Sequence, residues 1–406
     1  MSNPSPMEAL RRPHHNQWYH ETQSSVRGDS PLQPQAAGVR DRFLLGLGEF
    51  ADAALNNALI ARAPVFSASL DSCRVLFPER VTLSRYVTLS PYDRLCTALT
   101  VAQVTGVQAL CSHYAARLAP LDSPDASRES NIRLAQITQY ARQLATHPTL
   151  ICHKAVQQLS EVGLSTADII SFTQIIGFVS YQARVVAGVA ALAGRPTALV
   201  PGFPSINDAS AAEFSLESLS WQPRLPLVDV AVANAEQLDV LDQSHPNARG
   251  EPYYRLLAHD AAALRERNGV FNTISQSGYG LSPRLKALSA LVTSRINGSR
   301  YCAAKAAAEV AQPQLVRALF DDIAQAQQQL DDRLSAALIQ VSADLTRSPE
   351  KFTPQNVQPL FNLGLSQAQA LEAILTSALY AWENRLRYSL GDTLTAQQCP
   401  TPVPLV

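Results

Sequence analysis

The chain reads LSPYDRLCTALTVAQVTG at residues 89–106 and LSPRLKALSALVTSRING at residues 281–298. Both stretches begin with Leu-Ser-Pro and end with Gly, at a constant separation of 192 residues (281 − 89). In each, the Ser suits a helix N-cap and the Pro suits the first helical position, where its missing N–H costs nothing. The closing Gly suits the left-handed residue that ends a helix. This repeat predicts a helical unit that occurs twice in the chain.

A second pair of matching stretches follows at a separation of 201 residues (364 − 163). Gly-Leu-Ser occurs at 163–165 and again at 364–366, and each Ser is placed to cap a long helix with a polar partner three residues on. Two later matches keep the same separation: Tyr181 with Trp382, and Arg184 with Arg385. We therefore predict an all-α fold of two tandem helical modules related by pseudo-twofold symmetry.

Changes in composition divide the chain around these repeats. Residues 1–40 are polar and contain prolines without a helical period, which is typical of a mostly disordered segment. Prolines also concentrate in residues 195–226, as in a linker. We predict a first module at 41–194, the linker at 195–226, a second module at 227–394 and a tail at 395–406.

Composition and charge exclude several classes of function. The formal net charge is −1, and Lys and Arg do not cluster with aromatic residues, so we expect no nucleic-acid partner. No run reaches the roughly 18 apolar residues of a membrane span, and residues 1–30 lack the apolar core of a signal peptide. We therefore expect a cytoplasmic protein without a membrane partner.

The six cysteines occur singly, with no C-x-x-C spacing: Cys73, Cys96, Cys111, Cys152, Cys302 and Cys399. A reducing cytoplasm disfavours structural disulfides among them, and this spacing does not suit a thiolate metal site. No phosphate loop, nucleotide fingerprint or hydrolase nucleophile motif is present. The sequence therefore predicts neither a metal nor a cofactor.

The order of these features resembles the alkyl hydroperoxidase D / carboxymuconolactone decarboxylase family. The shared order is a capped helix, an Asn-Gly turn, a short helix that opens near a cysteine, then Gly-Leu-Ser and a long helix carrying an aromatic residue and an Arg. The stretch 252–260 is similar to peroxidase-related members, and the resemblance covers residues 41–394. It implies an AhpD-like fold, a small-molecule peroxide or thiol as partner, and assembly into a homo-oligomer.

The chain departs from the residues that active members of this family use. Those members carry two cysteines in C-x-x-C, a His on the same helix and a Glu on the preceding helix, because the relay activates one thiol while the other resolves its sulfenic acid. The matching positions in the second module are Ser299, Cys302, Ala306 and Ala287. In the first module they are Val107, Leu110, Tyr114 and Leu95. One residue of the four survives in the second module, and none in the first.

Cys302 is the candidate nucleophile, with Lys305 as its supporting cation. Cys302 lies in the first turn of a predicted helix and Lys305 follows one turn later, so both the helix dipole and the cation favour a thiolate with a lowered pKa. The alternative is a packing role, because Cys302 lies among alanines and free cysteines are often buried.

The other candidate residues belong to pockets. Arg184 and Arg385 lie on the long helices whose inner faces line the family's pocket, with Tyr181 and Trp382 three residues before them. Their alternative role is compensation of the helix dipole. Cys111 and His113 form a weaker pair, because residues two apart on a helix point to different faces.

Two classes of function remain open from these residues. The first is a peroxidase-related oxidoreductase in which Cys302 is oxidised by a hydroperoxide and reduced by an external thiol. The second is a non-catalytic binding or regulatory protein that keeps the scaffold without the relay. Thiol-free acid–base chemistry, as in the decarboxylase branch, lacks a His or Glu in this register.

Overall fold

A computed structural model describes residues 36, 38–195, 206–217, 219–276 and 278–395. The predicted disordered segment therefore lies almost entirely outside the described residues, as do residues 196–205 of the linker. The tail from residue 396 onward, with Cys399, also lies outside them.

The described chain is mostly helical, which confirms the all-α class. The helices before the linker are α1 Ala53–Ala61, α2 Ala63–Leu76, α3 Pro91–Thr105, α4 Gln108–Leu118, α5 Arg128–Thr146, α6 His153–Glu161 and α7 Thr166–Leu192. Those after it are α8 Ala235–Ser244, α9 Pro252–Leu257, α10 Ala261–Ser275, α11 Pro283–Asn297, α12 Arg300–Val310, α13 Pro313–Asp321, α14 Ile323–Gln328, α15 Arg333–Arg347, α16 Pro354–Asn362 and α17 Gln367–Leu390.

The predicted linker contains a strand that sequence reasoning did not foresee. β1 spans Leu219–Pro223 and pairs antiparallel with β2, Gly391–Thr395, which follows α17 directly. Trp221 lies opposite Thr393, and the Trp221 Nε1–H donates to the Arg387 carbonyl at 2.8 Å. Pro223 is tolerated because it ends a strand of a two-stranded sheet. The linker is thus tied to the end of the last helix.

The predicted helix ends are confirmed. Ser90 caps α3 in a capping box with Asp93, and Ser282 caps α11. Ser165 and Ser366 cap the two longest helices, each in a capping box with the residue three positions on. At the other ends of α3 and α11, Gly106 and Gly298 have φ of 71° and 83°, the left-handed conformation expected there.

The first and last residues of several helices recur along the chain at the separations of the two sequence repeats. α3 and α4 recur as α11 and α12, and both ends of each helix keep the separation of the two Leu-Ser-Pro stretches. α6 recurs as α16 at the larger separation of the two Gly-Leu-Ser stretches, and the starts of α7 and α17 keep that same separation. The order of these helices is the same on both sides of the linker.

The centre of the protein is the packing of α7 against α17. Their contacts run in opposite directions, because Gly177 lies against Trp382 whereas Gly188, further along α7, lies against Ile374, earlier in α17. A Cβ at Gly177 would lie 2.2 Å from Trp382 Cδ1, and one at Gly188 would lie 2.4 Å from Ile374 Cγ2. The two helices therefore approach closely because α7 has no side chain at these points.

Arg184 and Arg385 join the two halves of the chain reciprocally. Arg184 Nη2 donates to the Thr346 carbonyl at 2.7 Å, near the end of α15, and Arg385 Nη2 donates to the Ala145 carbonyl near the end of α5. The two arginines match each other in the Gly-Leu-Ser repeat, and the two acceptor residues match at the same separation. Each guanidinium thus satisfies a terminal carbonyl, and opposes the dipole, of a helix in the other half.

One helix, Thr166–Leu192, has the length and apolar composition of a membrane span. However, 94% of its most apolar 18-residue window is buried inside the protein, against other helices. A fully buried core helix is apolar all round for the same reason, so this helix gives little support for a membrane location.

Replacing Gly177 with Ala should destabilise the fold, because the new methyl group forces Trp382 away from its place on α7. We expect a loss of about 1–3 kcal/mol in the free energy of unfolding, measured by urea titration. The control is Gly48→Ala, since a Cβ at Gly48 meets nothing within 4 Å. Equal stability of both variants would contradict the close approach of α7 and α17.

Candidate functional site

Cys302 lies in the first turn of α12, as predicted, but its side chain is enclosed. The residue is 4% exposed, and burial together with the nearby Glu383 carboxylate raises the pKa of the thiol to about 12. The expected lowering of its pKa is therefore wrong, because the loss of hydration outweighs the helix dipole and the distant cations. The thiol stays protonated at neutral pH.

Lys305 does not offset this burial. It is solvent-exposed, and its Nζ lies 5.6 Å from the centre of the Tyr301 ring. It is absent from the groups that shift the pKa of Cys302, which are Glu383, Arg387, Ser299 and Arg267. The structure does not show the predicted pairing of Cys302 with Lys305. The charged groups near the thiol are Glu383, Arg387 and Arg267.

Those charges form a buried network centred on Glu383. Glu383 Oε2 accepts from the Tyr253 hydroxyl at 2.7 Å and from Arg267 Nη2, and Oε1 accepts from Arg387 Nε at 2.9 Å. Burial opposes ionisation, but the two guanidinium groups hold the pKa of Glu383 at about 2. The carboxylate is therefore charged and fully paired at neutral pH.

Aromatic rings enclose the Arg387 guanidinium. Its carbon lies 3.4 Å from the centroid of Tyr253, 4.7 Å from that of Tyr301 and 5.5 Å from that of Trp221. These cation–π contacts and the Glu383 pair hold α9, α10, α12 and α17 together. The charged groups near Cys302, Glu383 and Arg387, are thus bound to each other.

Sequence reasoning missed this network. The spacing of Glu383 and Arg387 is the i, i+4 pattern of a helical ion pair and was available as a signal. Tyr253 belongs to the stretch that suggested the family, but its bond to Glu383 spans 130 residues. Arg267 lies on a different helix, so no local pattern could place it beside Glu383.

Cys111 and His113 are both buried, and the described part of the chain shows no hydrogen bond between them. Burial raises the pKa of the Cys111 thiol to about 12 and lowers the pKa of His113 to about 4. The His113 Nδ1 lies 2.8 Å from the Ala36 carbonyl, so it donates there as a neutral ring. The pair holds neither a thiolate nor a charged imidazole at neutral pH.

The four aromatic and arginine residues predicted for a pocket lie at the contact between α7 and α17. Tyr181, Trp382, Arg184 and Arg385 are each at most 1% exposed, and Trp382 Nε1–H donates to Gln174 Oε1 at 2.9 Å. Burial lowers the pKa of both guanidinium groups, and each Nε has no hydrogen-bond partner. Their observed contacts are structural.

Several cavities lie elsewhere in the described residues, and two of them are lined in part by charged side chains. One, of about 230 Å³, is bounded by α10, α11, α12 and α17 and is lined by residues that include Ala287, Lys286 and Tyr380. A wider one, of about 430 Å³, lies at the start of α3 and includes Asp93, Asp122, Asp125 and Arg133. The first cavity adjoins the helices that carry Cys302 and Glu383.

Cys152 is the exposed cysteine of the described chain. It is the N-cap residue of α6, and the Ala155 and Lys154 amides lower the pKa of its thiol. The sequence signal for Cys152 was its position directly before a helix. An exposed thiol at that position favours the thiolate more than a buried thiol in the first turn of a helix does.

The described residues contain no cluster of three or more His, Cys, Asp or Glu side chains arranged to hold a metal ion. No protein-family profile matches the chain, and no curated protein sequence matches it. The resemblance to the alkyl hydroperoxidase D family therefore stays a prediction from the residues quoted above.

Alkylation should rank the thiols by these environments. Among the cysteines of the described residues, Cys152 should react first with iodoacetamide at neutral pH. Cys73, Cys96, Cys111 and Cys302 should react only on unfolding, because burial raises the pKa of all four to about 12. Peptide mass spectrometry over time measures each rate. Rapid labelling of Cys302 in the folded protein would contradict its burial.

Glu383→Gln should destabilise the protein by about 3–5 kcal/mol, because it leaves two buried arginines without their carboxylate. The folded-state pKa of about 2 lies below the ordinary value of 4.5, so the stability that Glu383 contributes is complete above pH 4.5. It is lost as the pH falls towards 2. Urea unfolding between pH 7 and pH 2 should show a smaller acid dependence in Glu383→Gln than in the unaltered protein.

Proposed function

We propose that this protein is a non-catalytic binding protein built on an AhpD-like scaffold. The observation that carries the proposal is the burial of Cys302, a residue that is 4% exposed and whose thiol has a pKa raised to about 12. Peroxide reduction needs a thiolate that a peroxide can reach. The rival proposal, a peroxidase-related oxidoreductase acting through Cys302, needs a change of structure that exposes and ionises this thiol.

The surroundings of Cys302 support the same conclusion. Ala287 and Ala306 occupy the positions where the resemblance implies a Glu and a His, and Ser299 occupies that of the second cysteine. The two alanines cannot relay a proton, and Ser299, whose hydroxyl hydrogen-bonds Cys302, cannot resolve an oxidised thiol by forming a disulfide. The charged groups that are nearby, Glu383 and Arg387, are bound to each other.

The scaffold in this proposal consists of two modules related by a pseudo-twofold axis. The support is the repeat of helix bounds in step with the two sequence repeats, together with the reciprocal bonds of Arg184 and Arg385. Homo-oligomer assembly and a cytoplasmic location belong to the same proposal and rest on the sequence resemblance. The ligand of such a protein is a small molecule that enters a cavity between the helices.

Peroxide consumption tests this function. In the presence of dithiothreitol, the protein should consume hydrogen peroxide and cumene hydroperoxide no faster than an equal concentration of free cysteine. Cys302→Ser should leave that rate unchanged because the buried thiol takes no part, and the consumption of peroxide is followed spectrophotometrically.

Cys152→Ser is the matched control, because Cys152 is the exposed cysteine among the described residues and contributes to the background reaction. A slow rate that falls in Cys152→Ser and stays in Cys302→Ser supports the proposal. Saturable consumption that disappears in Cys302→Ser, with the far-ultraviolet circular dichroism unchanged, would establish the peroxidase and overturn the binding protein.

A further inference from the structure

The 230 Å³ cavity has apolar and polar walls in nearly equal measure. Phe271 and Ile274 from α10 and Leu379 from α17 form two of its sides, and Ala287 and Ala290 from α11 form a third. The two alanines leave the space that larger side chains would fill. A dry apolar cavity of about 150 Å³ holds a benzene ring, so this volume accommodates a ring with a small substituent.

Lys286, at the wall of this cavity, has no free charge to offer a ligand. Its Nζ donates to the Ile274 carbonyl at 3.1 Å and to the Gln276 carbonyl at 3.0 Å, and it lies 3.7 Å from Glu372 Oε1. Two of its three N–H bonds are therefore used in hydrogen bonds, and the Glu372 carboxylate balances its charge as an ion pair. The exposed Glu309 carboxylate also lines the cavity and disfavours a negatively charged ligand. The electrostatics therefore favour an uncharged ligand.

Tyr380 offers the cavity one hydrogen-bond donor. The ring lines the cavity, and its hydroxyl has no hydrogen-bond partner among the described residues. Burial, with the nearby Cys302, Glu383 and Glu309, raises the pKa of the phenol, so the hydroxyl keeps its proton and donates. Of the other two hydroxyls in the wall, Thr376 Oγ1 already donates to the Glu372 carbonyl at 2.8 Å, and Ser275 is exposed to solvent.

We propose that this cavity binds an uncharged molecule with an apolar ring and one acceptor atom that takes the hydrogen bond of Tyr380. The inference deepens the proposed binding function, because it names the site and the chemical class of ligand. The apolar side of the cavity, formed by α10, α11 and Leu379, packs against the ring, and the hydroxyl selects for an acceptor at one end of the ligand.

Three probes of the same shape test the chemistry: acetophenone, α-methylstyrene and benzoate. Acetophenone has a carbonyl acceptor, α-methylstyrene replaces that oxygen with CH₂, and benzoate adds a negative charge. Titrations of the full chain are monitored by ligand-observed NMR at neutral pH. Acetophenone should bind about tenfold more tightly than α-methylstyrene, because one hydrogen bond of about 1.4 kcal/mol corresponds to that factor. Benzoate should bind more weakly than acetophenone.

Variants locate the site. Tyr380→Phe should weaken acetophenone binding about tenfold and leave α-methylstyrene unchanged, since only the donor is removed. Ala290→Leu should abolish the binding of both by filling the cavity, and Ala287→Leu is a second filling variant in case the first does not fold. Leu363→Ala, an exposed residue outside the cavity lining, is the control and should change nothing.

The result decides between clear outcomes. No binding of acetophenone, binding that persists in the folded filling variants, or tighter binding of benzoate would each overturn the proposed ligand class. The titrations contain no peroxide or dithiothreitol, so they are independent of the peroxidase assay. If Cys302 supports peroxidase activity and acetophenone still binds normally, the non-catalytic function is contradicted. The proposed ligand site in this cavity is then still supported.

Discussion

The close crossing of α7 and α17 is the constraint on which the rest of the structure depends. Gly177 and Gly188 let the two longest helices touch, so Trp382 and Ile374 pack directly on the α7 backbone. This distance brings Arg184 and Arg385 within reach of the helix ends in the opposite half, at the Thr346 and Ala145 carbonyls. The centre of the protein is thus built from one long helix of each half, α7 and α17.

Buried charge in this protein serves packing. Arg184 and Arg385 are fully buried without a bonded carboxylate, and burial lowers the pKa of each. Glu383 joins Arg267 and Arg387 around Tyr253 in a network that is fully paired. In both places the charged groups bond to carbonyls or to each other and tie separate helices together.

The same packing explains why Cys302 looked reactive in the sequence and is enclosed in the structure. A cysteine in the first turn of a helix has a lowered pKa only where water or a cation reaches the thiolate. Here the thiol is buried beside the charges of Glu383, Arg387 and Arg267, whereas Lys305 is exposed to solvent. The 230 Å³ cavity lies between the neighbouring helices.

The sequence by itself determined the helical class, the capped starts at Ser90, Ser165, Ser282 and Ser366, and the spacing of the repeat. These features are local, because a cap or a left-handed Gly depends on residues within one helical turn. Tertiary structure alone decided the burial of Cys302, the ring of charges around Glu383 and the reciprocal bonds of Arg184 and Arg385. Each of these depends on groups that lie on different helices, far apart in the chain, whose contact no local pattern encodes.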